Sequence, residues 1–271
     1  MRVRNLTLTM PLSHALPIYA HDDPEYDAAI VRLVESVMQF RGHCAVIDIG
    51  ANIGDTARAI LEVPDARVLC IEGNTTFGEF ISNNLAGFEG RYIWLAAYAG
   101  NQSAVKHAHS VMQAGTARLV ENAEAPEVRM VSLSLAVQLA NFPAPDLVKI
   151  DTDGYDSIIL RDELSFLIAH RPVLFFEFDP ALFRAIDPDG HSVVDRLAAF
   201  GYRHGLAYSN HGSFLGAFRA DCPPEFQAHA ARIGRGGVDY LDICMFSTQE
   251  EFEVAYRRER VHFERVDSVC S

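Results

Sequence analysis

The sequence has few cysteines, and nothing in their arrangement marks a disulfide framework or a zinc site. The five cysteines are odd in number and lack Cys-x-x-Cys spacing; they are Cys44, Cys70, Cys222, Cys244 and Cys270. Such scattered thiols are typical of a reducing compartment. No apolar run approaches the ~18 residues of a membrane span, and the first residues lack the apolar stretch of a signal peptide. We therefore expect a cytoplasmic protein without a membrane-spanning segment.

Basic charge is also scarce. The 271 residues include 23 Lys and Arg against 36 Asp and Glu, a net charge of −13, and no run of basic residues occurs. Because binding to a phosphate backbone needs clustered lysines and arginines, this composition argues against a nucleic-acid partner. A hydrophobic content of 49% supports a sizeable core. The chain shows no linker, repeat or low-complexity tract, so we expect a single domain over residues 1–271.

The most informative stretch covers residues 46–56. An apolar run that ends at Ile49 predicts a buried parallel strand, and Gly50 and Gly54 then precede a helical pattern. A strand, a tight glycine turn and a helix open nucleotide-binding βαβ units. The dinucleotide fingerprint G-x-G-x-x-G is absent, and Asp48 stands two residues before the first glycine. An acid there favours a ligand with an ammonium and a sulfonium over one with a pyrophosphate; an ordinary glycine turn is the alternative.

Four predicted strands end in acidic residues, at the edge where parallel sheets bind ligands. These acids are Asp48, Glu72, Asp151 and Glu177. Glu72 lies 22 residues after Gly50 (72 − 50), and an acid at the end of the second strand accepts hydrogen bonds from ribose hydroxyls. The four acids together predict a polar site along one edge of the sheet.

The segments around these strands predict additional elements. A helix from Asp22 to Phe40 forms an N-terminal cap within residues 1–43, and the main core follows over residues 44–271. Short alternating segments predict an inserted β segment at about 100–133, and Asn210-His211-Gly212 predicts the turn of a hairpin. No motif marks these segments, so we expect them to build the remaining walls of the pocket.

Three blocks carry a resemblance to a known family. Residues 46–56, with Asp-x-Gly-Ala-Asn-x-Gly at their centre, resemble the first motif of class I S-adenosylmethionine-dependent methyltransferases. With residues 149–156 (Lys-Ile-Asp-Thr-Asp-Gly-Tyr-Asp) and 172–177 (Pro-Val-Leu-Phe-Phe-Glu), they are similar to the FkbM methyltransferase family in order and spacing. The resemblance covers residues 44–180 and implies an α/β, Rossmann-like class I methyltransferase fold. This fold has a seven-stranded, mostly parallel sheet whose last strand is antiparallel, with flanking helices.

The resemblance also implies a set of site residues. Asp48 and the glycine turn hold the methionine portion of S-adenosylmethionine, and Glu72 takes the ribose hydroxyls. Ala97 and Tyr98 flank the adenine, and Asp151 lies near the sulfonium and the incoming hydroxyl. The expected cofactor-binding residues are therefore Asp48, Gly50, Ala51, Asn52, Gly54, Glu72, Gly73, Ala97, Tyr98 and Asp151.

Methyl transfer to a hydroxyl needs positioning and a base for the proton. We expect Asp151, Asp153 and Asp156 to be catalytic, with Asp151 best placed at a strand end. A turn at Asp153 and a helix cap at Asp156 are the structural alternatives. Asp151 with Glu177 or Asp179 also resembles the carboxylates of metal-dependent catechol-type methyltransferases. A divalent cation is therefore the alternative to a metal-free site.

These expectations describe an enzyme. We expect an S-adenosylmethionine-dependent O-methyltransferase that acts on a hydroxyl of a sugar, a glycan or another small natural product, with S-adenosylhomocysteine as the product. A nicotinamide-linked oxidoreductase and a non-catalytic domain that binds the cofactor or a partner protein are the alternatives. The sequence leaves open the acceptor, the general base, metal dependence and whether the chain forms a homodimer.

Overall fold

Helices and strands alternate along most of the chain. The computed structural model describes residues 1–101, 106–113, 116–122, 124–125 and 127–270. Its helices are α1 (Leu16–Asp22), α2 (Ala29–Arg41), α3 (Asp55–Leu61), α4 (Gly78–Asn84), α5 (Leu133–Leu139), α6 (Asp156–Asp162), α7 (Leu164–His170), α8 (Pro180–Ile186), α9 (Val193–Ala199), α10 (Pro223–Ala230) and α11 (Gln249–Cys270). Its strands are β1 (Arg2–Val3), β2 (Leu6–Thr7), β3 (Ala45–Ile49), β4 (Arg67–Ile71), β5 (Tyr92–Leu95), β6 (Tyr98–Ala99), β7 (Lys106–Gln113), β8 (Thr116–Glu121), β9 (Glu127–Val128), β10 (Met130–Val131), β11 (Leu147–Ile150), β12 (Val173–Phe178), β13 (His204–Ser209), β14 (Phe214–Arg219) and β15 (Leu241–Phe246).

The main sheet of the described residues has the strand order β14-β13-β15-β12-β11-β3-β4-β5. The five strands from β12 to β5 are parallel to one another. Strand β15 is antiparallel to β12 and to β13, and β14 is antiparallel to β13. The carboxyl ends of the five parallel strands therefore meet at one edge, where an open α/β sheet binds its ligand.

The sheet has one strand more than the seven that we expected. Seven strands follow the expected arrangement, with β15, the last in the chain, antiparallel to its neighbours. The eighth strand is β14, which the predicted hairpin turn at residues 210–212 folds back onto β13. Strand β15 pairs with one edge of β13 and β14 pairs with the other, so the hairpin extends the sheet by one strand.

Each face of the sheet is covered by helices. In β3, Ile47 and Ile49 belong to one buried cluster, whereas Val46 belongs to the other, as the alternation of side chains in a strand requires. Helices α5 to α10 contribute to the first cluster, and α2, α3, α4 and α11 contribute to the second. Both faces of the parallel strands are thus buried, which explains their nearly continuous apolar sequence.

The N-terminal cap differs from the single helix that we expected over residues 22–40. Asp22 ends α1 instead of starting a helix, and α2 begins only at Ala29. The break lies at Asp27, whose φ of +54° is in the left-handed region and is incompatible with a continuous helix. This break turns the Tyr26 and Asp27 side chains towards the edge where the parallel strands end.

The expected β insertion is present in the described part of residues 100–133. Strand β7 pairs with β8 and β9 in a small separate sheet, and β6 pairs with β10. Residues 102–105, 114–115, 123 and 126 of the insertion lie outside the described residues. Among the helices that the structure describes, none combines the length and the apolar character of a membrane span.

Candidate functional site

A cavity of about 580 Å³ lies at the carboxyl ends of the parallel strands and is here called the strand-end cavity. The N-terminal cap contributes His14, Tyr26 and Asp27, and the hairpin turn contributes Asn210 and His211. Nine of the residues predicted from the sequence line it: Gly50, Asn52, Glu72, Gly73, Ala97, Tyr98, Asp151, Asp153 and Glu177. The structure thus brings most of the predicted site together in one place.

The glycine turn after β3 sits directly against the Asp151 backbone. Gly50 has a φ of +77°, and a Cβ atom there would overlap the carbonyl oxygen of Asp151. The Asp151 amide in turn donates a hydrogen bond to the Ile49 carbonyl at 3.1 Å. Ala51 and Gly54 are buried and support the turn without lining the cavity. Glycine is required at position 50 by both the left-handed backbone and the close approach.

Glu72 follows β4 and is held by backbone amides. Its carboxylate accepts hydrogen bonds from the Asn74 amide at 2.7 Å and the Asn52 amide at 3.0 Å, one on each oxygen. Burial raises the pKa of Glu72 to about 7, although the two amides oppose this shift. Each carboxylate oxygen has a second lone pair beyond the one that accepts an amide hydrogen bond, and Glu72 lines the cavity. This geometry fits the two vicinal hydroxyls of a ribose.

An aromatic wall lies next to Glu72. The ring of Tyr98 packs on Gly73, where a Cβ atom would overlap the ring. The indole of Trp94 donates a hydrogen bond to the Glu72 carbonyl at 3.3 Å. This bond holds the backbone of Glu72 in place at the end of β4. Ala97 and Tyr98, which the resemblance places beside the adenine, both line the cavity. A flat ring beside a carboxylate is suited to an adenosine.

Asp48 is placed differently from our expectation. Its side chain is fully buried below the cavity floor, beside Lys149 of the neighbouring strand. The Lys149 ammonium lies 3.3 Å from Asp48 and 3.0 Å from Asp151. Burial raises the pKa of Asp48, and Lys149 opposes that shift. Asp48 therefore does not line the cavity, and its charge acts on the site through Lys149.

Lys149 lines the cavity and had no role in the sequence-based prediction. Burial alone would lower its pKa, but Asp151 and Asp48 outweigh burial and raise the pKa well above the usual value. The signal was available in the sequence. A lysine inside an apolar strand must be paired with acids, because an isolated buried charge is too costly.

Further acids from distant segments face the same cavity. Asp27 comes from the cap and Asp242 from β15, and both join Glu177 of β12. Burial and, secondly, the Asp151 carboxylate raise the pKa of Asp27 to about 7. Burial also raises the pKa values of Glu177 and Asp242 well above their usual range. Asp27 and Asp242 follow no motif, so only the folded chain reveals them.

The three remaining acidic residues of the prediction have different surroundings in the structure. Asp153 lines the cavity in a left-handed turn with φ of +51°. Asp156 is buried and accepts hydrogen bonds from the Thr152 hydroxyl at 2.8 Å and the Glu177 amide at 3.3 Å, so it anchors the loop rather than facing the cavity. Asp179 caps α8 by accepting bonds from the Ala181 and Leu182 amides at 2.7 and 3.2 Å.

These positions bear on the metal alternative. Asp179 is engaged as a helix cap, and it does not line the cavity with Asp151 and Glu177. Within the described ranges, no group of three or more His, Cys, Asp or Glu side chains is arranged to hold a metal ion. Of the carboxylates that we considered for a divalent cation, Asp151 and Glu177 line the cavity and Asp179 does not.

His211 ties the hairpin turn to the N-terminal cap. Its Nδ1 lies 2.6 Å from the Asp23 carboxylate, and its Nε2 lies 2.9 Å from the Gly237 carbonyl. The hydrogen bond with Asp23 raises the pKa of His211, because both nitrogens can donate only in the imidazolium. Two segments that are far apart in sequence thereby close one side of the cavity.

The sheet order and the strand-end site define a Rossmann-like class I methyltransferase fold. The METTL16 methyltransferase domain shares this fold with a TM-score of 0.51 and 9% identity, over 90% of this chain and 74% of that chain. A model of the methyltransferase FkbM domain matches residues 48–204, more than half of the chain. The chain therefore belongs to the FkbM methyltransferase family.

Two other solved structures are similar at lower scores. A methyltransferase FkbM from Methylobacillus flagellatus KT has a TM-score of 0.39 and 14% identity over 75% of this chain, which spans 44% of that chain. The O-methyltransferase TomG from Streptomyces achromogenes, solved in complex with SAM, has a TM-score of 0.44 and 13% identity over 90% of this chain and 93% of that chain. No curated protein sequence gave a significant match.

Proposed function

We propose that the protein transfers a methyl group from S-adenosylmethionine to a hydroxyl of a sugar, a glycan or another small natural product. The observation that carries this proposal is Glu72. Its carboxylate is fixed by two backbone amides beside the Gly50 turn and retains an acceptor position on each oxygen. Family membership supports both the methyl-transfer chemistry and the cofactor.

The residues present fit this cofactor. Glu72 matches the ribose, and the ring of Tyr98 with Ala97 forms a wall for the adenine. S-adenosylmethionine, when bound, supplies a methyl group activated by a positively charged sulfur. Asp151, whose side chain is 50% exposed, is positioned by Lys149 at the cavity surface and is the residue proposed to accept the hydroxyl proton. Asp48 would stabilise the arrangement from below through Lys149.

The charge of the cavity limits which chemical classes of methyl acceptor it can bind. Among the described residues that line it, nine are Asp or Glu, and Lys149 is the one lysine or arginine. That lysine is already paired with two carboxylates. An anionic acceptor would therefore find no unpaired lysine or arginine to compensate its charge, and the acids of the lining that are ionised, such as Asp151, would repel it. We propose a neutral or cationic hydroxyl compound, such as an uncharged sugar or an amino sugar.

Calorimetric titration with S-adenosylmethionine and S-adenosylhomocysteine tests the cofactor. We expect both to bind, and Glu72→Ala to weaken binding at least about 100-fold, since two hydrogen bonds to a charged group are lost. Glu79→Ala, on the exposed side of α4, is the matched control and should bind normally. Binding of NADH with neither of these ligands would support the oxidoreductase alternative and contradict the proposal.

Turnover with radiolabelled methyl donor tests the acceptor class. In a competition between methyl β-glucoside, glucosamine and glucose 6-phosphate, we expect label in the neutral or cationic compounds and little in the phosphate ester. Preferential labelling of the phosphate ester would contradict the charge argument. Cofactor binding without turnover on any hydroxyl compound would instead favour a non-catalytic binding domain.

A further inference from the structure

A second cavity, here called the side groove, opens beside the strand-end cavity. It has a volume of about 1030 Å³ and lies between the N-terminal segment, α2, α3 and α11. Its walls carry charged side chains, five of them arginines, together with aliphatic side chains, most of which are half-buried. The aliphatic ones form the apolar part of the groove. They include Val3, Leu6, Val31, Ala59, Val254 and Val261. None of the sequence motifs accounts for this groove.

Ion pairs hold two walls of the side groove together. Arg32 of α2 donates to Glu259 of α11 and to Glu25, each at 2.8 Å. Glu259 is almost fully buried, so this contact is shielded from solvent. Arg258 of α11 donates to Glu35 of α2 at 2.8 Å. Because these bonds fix α2 against α11, the groove is a defined feature of the helix packing.

The side groove adjoins the strand-end cavity. Four residues line both: Leu16, Asp27, Asp55 and Thr56. Asp27 marks the junction, since its carboxylate interacts with Asp151 on the cavity side and with Arg4 on the groove side. The two spaces therefore meet at these four residues, and a chain attached to a hydroxylated group near Asp151 would enter the groove past Asp27.

We propose that the side groove binds an aliphatic chain of the methyl acceptor, whose hydroxylated end occupies the strand-end cavity. The acceptor class is then an uncharged sugar or polyol that carries an alkyl chain. Covering the aliphatic walls with such a chain removes apolar surface from water, which is favourable in proportion to the area covered. This inference rests on the proposed function, because it takes the strand-end cavity as the site of the acceptor hydroxyl.

A series of alkyl glucosides tests the groove. Methyl, hexyl and octyl β-D-glucoside would be titrated below their micelle concentrations into protein saturated with S-adenosylhomocysteine. Between hexyl and octyl we expect the affinity to rise about two- to fourfold per methylene, as for a buried alkyl chain. An affinity that is independent of chain length would overturn the inference.

Two variants fill the groove and test whether the dependence of affinity on chain length arises there. Ala59→Phe on α3 and Val31→Phe on α2 should each reduce the affinity for octyl glucoside to that for methyl glucoside, while S-adenosylhomocysteine binds as before. Leu139→Phe, on an exposed part of α5 outside the groove, is the matched control and should leave the chain-length series unchanged. A chain-length effect that survives both groove variants would assign the binding to another surface and overturn the inference.

The outcomes separate the two proposals. Failure of the unmodified protein to bind S-adenosylhomocysteine would remove the proposed function, and the alkyl glucoside series in its absence would still show whether the groove takes an apolar chain. Sedimentation of the protein with and without octyl glucoside tests whether a second copy of the chain occupies the groove instead. A dimer that octyl glucoside dissociates would assign the groove to a second copy of the chain and would contradict the inference.

Discussion

At the scale of single residues, the charge of the site depends on Lys149. It stands between a fully buried acid, Asp48, and a half-exposed one, Asp151. Removal of one partner from a buried ion pair leaves the other charge uncompensated, which is more costly than removal of both. The consequence can be measured without any ligand.

We expect Lys149→Met to destabilise the protein by about 3–5 kcal/mol, because Asp48 then has no counter-ion in a buried position. The double variant Lys149→Met with Asp48→Asn should recover a large part of this loss, since the uncompensated charge is gone. Urea unfolding of the four proteins of this cycle measures the coupling. Purely additive effects would show that the two side chains do not interact.

The sequence predicted some of these residues and not others, for a physical reason. Glu72 and Asp151 follow apolar strands, so their place at the sheet edge could be derived from strand order alone. Asp27 and Asp242 reach the same cavity from a cap and from the last strand, which depends on tertiary packing. Asp156 was predicted as catalytic because a carboxylate in a loop looks the same in sequence whether it faces a cavity or anchors the loop.

At the scale of elements, the turn after β3 and the loop after β11 form one unit. Gly50 packs directly against the Asp151 carbonyl oxygen, so the cofactor turn cannot move independently of the proposed base. The strand–turn–helix pattern was predictable from hydrophobic periodicity, and so was the hairpin at residues 210–212. The break in the cap helix was not predictable, because a single left-handed residue, Asp27, decides it.

Gly50→Ala should be severely destabilising, by more than about 3 kcal/mol, since it combines a left-handed backbone with overlap of the Asp151 carbonyl. Gly90→Ala is the matched control. Gly90 has a φ of +83°, but a Cβ atom there meets no other atom within 4 Å. It should cost only about 1–2 kcal/mol, the cost of the left-handed backbone itself. Equal losses in thermal or urea unfolding would exclude the close approach as the cause.

At the scale of the whole molecule, buried acids make stability depend on pH. Burial raises the pKa values of Asp27 and Glu72 to about 7. A raised carboxyl pKa means that the folded state holds its proton more tightly than the unfolded chain does. The stabilisation is therefore complete below the ordinary carboxyl pKa, near 4, and is lost as the pH rises to about 7.

We expect the ligand-free protein to be on the order of 2–4 kcal/mol less stable at pH 8 than at pH 5.5, from these two groups alone. Chemical unfolding at several pH values measures this difference. Asp27→Asn should flatten the profile because it removes one of the titrating groups. Glu79→Gln, which is exposed, should leave the profile as it is. A protein that gains stability between pH 5.5 and 8 would contradict the burial argument.

The joining of the cap to the hairpin by His211 and Asp23 has a consequence for synthesis. Residues 14–27 leave the ribosome before the groups with which they line the strand-end cavity, such as Lys149 and Asp242, are made. The nascent chain can build the glycine turn and the Glu72 strand early, while the cap waits for the last strand of the sheet. The wall of the cavity that residues 14–27 and His211 build is therefore completed later than the wall around Gly50 and Glu72.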